Sequence, residues 1–103
     1  LEDTMEVWMG EFGRTQKINA KKSRDHWPQC YSALLAGGGV KSGYIYGASD
    51  ATGAYPSRDP VRPDDLAATI FQLMGIDPAA EVHDTQDRPL VIAEGEAITE
   101  LMA

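Results

Sequence analysis

One stretch of the chain carries a clear helical period, and this limits what the remainder can become. In "RPDDLAATIFQLMGID" Leu66, Ile70, Leu73 and Met74 recur at i, i+4, i+7 and i+8, the spacing of a single helix face. Pro63 suits the first helical position, because its missing N–H would have had no partner there. Asp64 and Asp65 favour the positive end of the helix dipole, and Gly75 is the usual residue just past a helix end. The rest must be built mainly from short strands and loops.

Read for period, the other segments are brief. Thr4 to Met9 ("TMEVWM") is β-branched and aromatic and stops at Gly10, which reads as a short buried strand. Gly10 to Pro28 is a loop. Tyr31 to Ala36 is a second apolar run, closed by Gly37-Gly38-Gly39, and Val40 to Gly47 reads as a third, shorter strand. Three successive glycines let the backbone turn with positive φ or approach another surface closely. They do not form a phosphate-binding fingerprint, because Val40-Lys41-Ser42-Gly43 follows where a Walker loop needs Lys-Ser/Thr. Residues 48–62 are turn-rich and polar. After the helix come a Pro- and Asp-containing loop, an apolar run Leu90 to Ala93 and a short amphipathic tail, "EAITELMA". The fold class is therefore α/β, but with too few helices to cover both faces of a parallel sheet.

At 103 residues there is room for one small domain, burying somewhat under about 70% of the surface its unfolded chain exposes. The chain opens without an initiating Met and runs almost at once into a strand, which suggests that it begins inside a longer protein. Its first residues, "LEDTMEVWMGEF", are acidic where the n-region of a signal peptide is positive. No apolar run approaches the roughly 18 residues needed to span a bilayer. The single cysteine, Cys30, allows neither an internal disulfide nor a thiolate zinc cluster. A net charge of −7 argues against general nucleic-acid binding. Yet five of the nine cations, Arg14, Lys17, Lys21, Lys22 and Arg24, fall within eleven residues, which is either a solvated loop or a local cationic pocket.

Two histidines bound the acid–base and metal chemistry. His26 follows Asp25, and adjacent Asp-His side chains can share one cation where the backbone turns sharply. Against this stands a histidine whose ring is simply hydrogen-bonded. Glu11 sits just past the first strand, where α/β folds assemble their sites, or is a solvated turn residue. Arg14 could clamp an anion bidentately or pair with Glu11. His83 reads as an exposed turn histidine. Nothing supplies Cys30 with an activating base, so it is not read as a nucleophile.

Three stretches, "WMGEFGRTQKIN", "RDHWPQCYSALLAGGGVKSGYIYGASDATGAYP" and "RPDDLAATIFQLMGID", together resemble the C-terminal segment of the domain of unknown function 1501 family. That family is similar in turn to the alkaline phosphatase and sulfatase superfamily. The resemblance implies an α/β sandwich with a mostly parallel central sheet, of which residues 1–103 would be a single C-terminal fragment. By order along the chain, His26 before "YSALLAGGG" corresponds to an isolated metal-binding histidine, with Asp25 as companion. Where the superfamily ends a late strand in Asp-His, this chain has Glu11-Phe12, keeping a carboxylate but no nitrogen ligand. The implied metal site is thus His26, Asp25 and Glu11, for a divalent ion that could be zinc, calcium, magnesium or manganese.

The function the resemblance implies is metal-dependent hydrolysis of sulfate or phosphate esters. Arg14 and Arg24, helped by Lys21 and Lys22, would bind the anionic substrate, a small molecule or a glycan ester. The superfamily nucleophile lies in the N-terminal half of the domain, which is the implied partner of these residues, so activity of this segment alone is not expected. The resemblance also suggests an exported parent protein. The rival reading is a non-catalytic binding or structural scaffold of the same origin.

Overall fold

The computed structural model describes residues 1–103, and in it the helical period closes into α1 (Pro63–Leu73). Pro63 stands at the first turn, and the Asp65 carboxylate accepts a hydrogen bond from the Arg62 backbone N–H, 3.1 Å. The helix ends in a Schellman arrangement: Ile76 N–H bonds the Phe71 carbonyl and Gly75 N–H the Gln72 carbonyl, with Gly75 at φ +82°.

Eight short strands complete the chain: β1 (Met5–Trp8), β2 (Gly13–Arg14), β3 (His26–Trp27), β4 (Leu34–Gly37), β5 (Ala48–Ser49), β6 (Pro56–Arg58), β7 (Glu81–His83) and β8 (Pro89–Val91). A 3-10 turn spans Thr99–Leu101. The strands pair as β1 with β4, β2 with β3, β5 with β6 and β7 with β8, and every pair is antiparallel.

This corrects the expected α/β sandwich of the alkaline phosphatase and sulfatase type. There is no parallel central sheet, only four two-stranded antiparallel ribbons and one helix. Parallel neighbours need crossover connections of a dozen or more residues, usually helical, whereas antiparallel ones can be closed by short turns. With a single 11-residue helix the chain closes β5–β6 and β7–β8 through short turns, while β1 and β4 pair across the intervening β2–β3 hairpin.

Smaller expectations shift as well. Val40 to Gly47 forms no strand, and only Val40 makes an isolated bridge, to Met102. His83 lies in β7 rather than in a turn, and the C-terminal tail forms a 3-10 turn. The glycine triplet behaves as its composition demands: Gly37, Gly38 and Gly39 all have positive φ, and Gly38 N–H donates to the Leu1 carbonyl, 2.8 Å. A side chain at Gly37 would run into the Thr4 and Leu1 carbonyls.

The first strand was expected to be buried, but Val7, Trp8 and Met9 are exposed, Trp8 by 77%. Five of 103 residues are buried, among them Ala68, Thr69 and Ile98. The surface is 7783 Å² for an 11.2 kDa chain, where a compact monomer of that mass exposes about 5,700 Å². The radius of gyration, 16.4 Å, likewise exceeds the roughly 13 Å of a compact domain this size.

What core there is lies where α1 meets residues 95–98. The Thr69 hydroxyl donates to the Asp65 carbonyl, 2.7 Å, and accepts from the Ile98 N–H, 2.9 Å. The Asp65 carboxylate receives the N–H groups of Arg62 and, at 3.1 Å, Glu96. Gly95 permits this approach, since a side chain there would strike the backbone of Asp64 and Asp65.

Replacing Thr69 by Val keeps the volume but leaves the buried Ile98 N–H without an acceptor. Urea unfolding should show a loss of about 1–3 kcal/mol, as a lowered midpoint at unchanged slope.

The hydrogen bond from the Arg62 backbone, then that from Glu96, holds the Asp65 carboxyl below its ordinary value of 3.8. A carboxylate lowered on folding contributes stability that is complete above the unfolded value and is lost as pH falls through the folded one. Acid titration of the melting temperature should therefore show a loss beginning near pH 4 that is diminished in Asp65→Asn.

Candidate functional site

The basic segment is a hairpin rather than an open loop. Antiparallel pairing of β2 and β3 sets Arg14 opposite His26 and Gly13 opposite Trp27, so the Arg14 and His26 side chains share a face. Phe12 stands beside both: its ring centroid lies 4.3 Å from that of His26 and 5.7 Å from the Arg14 guanidinium carbon. That is cation–π distance for Arg14.

Residues 15–25 close the hairpin through their own polar groups. The Asn19 side-chain oxygen accepts from the N–H groups of Lys21 and Ser23, and its amide donates to the Asp25 carboxylate, 3.0 Å. Lys22 takes a positive φ of 59°, a cost carried by the surrounding hydrogen bonds. Arg24 Nη1 donates to the Thr15 and Gln16 carbonyls, 2.9 and 2.8 Å, and Asp25 N–H donates to the Thr15 hydroxyl. Arg24 is thus partly a structural cross-brace.

The result is an open concavity of about 310 Å³ lined by Arg14, Ile18, Lys22, Ser23 and Arg24. Both arginines assigned from sequence to anion binding line it. No carboxylate does, and none of the five clustered cations is in an ion pair; the three ion pairs of the chain are Arg58–Asp59, Arg62–Asp65 and Arg88–Asp84. Three cations facing one hollow without counter-charges attract an anion, and the planar guanidinium groups suit a tetrahedral oxyanion.

The residues assigned to a metal are arranged differently. Asp25 and His26 follow one another along the chain, both exposed, and Glu11 is exposed in the bend after β1. Asp25 is engaged with Asn19, and the His26 ring lies against Phe12. No three His, Cys, Asp or Glu side chains come together in a way that could hold a metal ion. A zinc ion, whose structural and catalytic sites take three or four protein donors, does not fit this set as it stands. His83 is remote in sequence and exposed in β7, and Cys30 is a free, half-buried thiol.

Asn19, Phe12, Gln16 and Trp27 were not singled out from sequence. Asn19 had a readable signal, because an Asn in a polar loop commonly bonds the backbone two residues on. The others depend on contacts between distant segments. Removing the Arg24 cross-brace with Arg24→Met should speed amide hydrogen exchange at Asn19 and Lys22, whose N–H groups bond inside the loop, and leave α1 unchanged.

A family model described as a protein of unknown function (DUF1501) matches residues 1–102. No curated protein and no solved structure matches the chain.

Proposed function

The chain belongs to the DUF1501 family, and from that premise we propose that it is the anion-binding part of a domain that handles sulfate or phosphate esters. The observation that carries this reading is the hollow lined by Arg14, Lys22, Ser23 and Arg24, with no carboxylate in its wall. Arg14 would meet the non-bridging oxygens of the ester directly. Arg24, braced by its Nη1 bonds to two carbonyls, would present its remaining N–H groups from a fixed position. Lys22 adds charge without directional demand.

Metal-dependent hydrolysis, the activity implied by the likeness to sulfatases, would need donors beyond Glu11, Asp25 and His26, and no bond-breaking step is assigned to these residues. The second reading is a binding scaffold that holds anionic esters without cleaving them, and it rests on the same hollow. The basic hairpin serves the same purpose in both.

Titration of the protein with inorganic sulfate and with inorganic phosphate, followed by NMR shifts of the arginine side-chain N–H groups, tests the proposal. Saturable shifts at Arg14 and Arg24 are expected, weakening as NaCl is raised. Arg14→Ala should reduce affinity roughly tenfold or more, the scale of a charge-assisted hydrogen bond, at unchanged stability. Binding that is indifferent to Arg14 would remove the reading.

A further inference from the structure

A two-residue strand pair cannot hold itself, since even a full isolated hairpin is marginal in water. The β2–β3 hairpin therefore needs external support if Arg14, Lys22 and Arg24 are to keep a common orientation. Two side-chain hydrogen bonds leave residues 13–27 for the rest of the chain, and both end on one short loop. Gln16 Nε2 donates to the Gly53 carbonyl, 2.8 Å, and Trp27 Nε1 donates to the Ala54 carbonyl, 2.7 Å. Trp27 also packs edge-on against Tyr55, with ring centroids 5.7 Å apart.

That loop, between β5 and β6, is organised by a single carboxylate. Asp50 Oδ1 accepts from the Thr52 N–H and hydroxyl and from the Ala54 N–H, at 3.2, 3.2 and 2.8 Å. Across the loop, Asp50 N–H donates to the Tyr55 carbonyl, 2.8 Å. Ala54 thus takes Asp50 on its N–H and Trp27 on its carbonyl. Gln16 links onward in the same way, because its side chain reaches Gly53 while its carbonyl receives Arg24 Nη1. Hydrogen bonds run from the Asp50 carbonyl through Gly53 to Gln16 and on to Arg24. A second branch runs from the Asp50 carboxylate through Ala54 to Trp27, whose strand pairs with that of Arg14.

We propose that the Asp50–Tyr55 loop is the positioning element of the anion site, with Asp50 and Trp27 as positioning residues that touch no ligand themselves. This rests on the anion-binding reading above. Direct contacts and positioning contacts differ in salt response: losing a cation lowers both the affinity and its dependence on salt, whereas losing a support lowers affinity and leaves the number of cations at the site unchanged.

The experiment is a titration with inorganic sulfate at several NaCl concentrations, on the wild type and on Trp27→Phe, Asp50→Ala, Asp50→Asn and Arg14→Ala. Trp27→Phe keeps an aromatic ring and removes the N–H, and should weaken sulfate binding roughly fivefold, one net hydrogen bond, at unchanged salt dependence. Asp50→Ala should do the same or more, and Asp50→Asn, which keeps the acceptor oxygen, should return affinity to near wild type. Arg14→Ala alone should flatten the salt dependence.

Unchanged affinity in folded Trp27→Phe and Asp50→Ala, with the wild type binding sulfate, would overturn the positioning role and leave the anion site standing. A wild type that binds no sulfate would overturn the anion reading and this proposal together. Should Asp50→Ala fail to fold, Trp27→Phe decides, with the α1 amide signals as its folding control.

Discussion

The Thr69 hydroxyl holds the buried side-chain hydrogen bond that ties the helix to the C-terminal residues. It sits on the helix face opposite residues 95–98, gives its proton to the Asp65 carbonyl and takes the Ile98 N–H. Asp65, one turn earlier, receives Glu96. The Ile98–Thr69 bond is buried, beside Ala68, and a hydrogen bond shielded from solvent is both stronger and costlier to lose. Around this seam the C-terminal residues are kept against the helix, and Val40 bridges to Met102. The remaining ribbons hold together through two-stranded ladders, β1–β4 among them, and turn side chains.

The basic hairpin is the main instance of that second kind of organisation. Arg14, Lys22 and Arg24 face one hollow because polar side chains, not apolar packing, set its shape: Asn19 gathers the turn, Arg24 crosses it, and the Asp50 loop supports it from outside. Such an assembly suits the binding of an exposed, hydrated anion, which needs fixed charge in an open hollow rather than a deep apolar pocket. It also explains how a chain of net charge −7 can offer a local positive field, since within about a Debye length, roughly 8–10 Å, only nearby charges count, and in residues 13–25 five cations stand against one carboxylate, Asp25.

Several elements were legible from residues alone. The α1 helix was readable from its period, its Pro63 start and its Gly75 stop, because those signals act within one or two turns. The strand-like run Thr4 to Met9 and the apolar run Tyr31 to Ala36 were readable for the same reason, as was the turn at the glycine triplet. Arg14 and Arg24, named as anion ligands from the density of cations around them, both line the hollow. What could not be read was which strand pairs with which. The resemblance pointed to a parallel sheet, and the strands pair antiparallel because partner choice depends on the path of the connections, not on the strand residues. Glu11, Asp25 and His26 looked like one donor set on order along the chain, yet order carries no information on where side chains converge.

The sequence by itself determined the local devices: the capped helix, the positive-φ turns, the concentration of five cations in eleven residues and the lack of any apolar run long enough to cross a membrane as a helix, which the structure bears out. Only the tertiary structure decided that Trp27 and Gln16 reach the Asp50 loop, 27 and 37 residues away, and that Phe12 lies beside both Arg14 and His26. It also decided that β1 lies exposed. The physical reason is one of range: dihedral preferences and capping bonds act over a few neighbouring residues, whereas side-chain convergence depends on closing long loops, whose outcome depends on every other contact the chain can make.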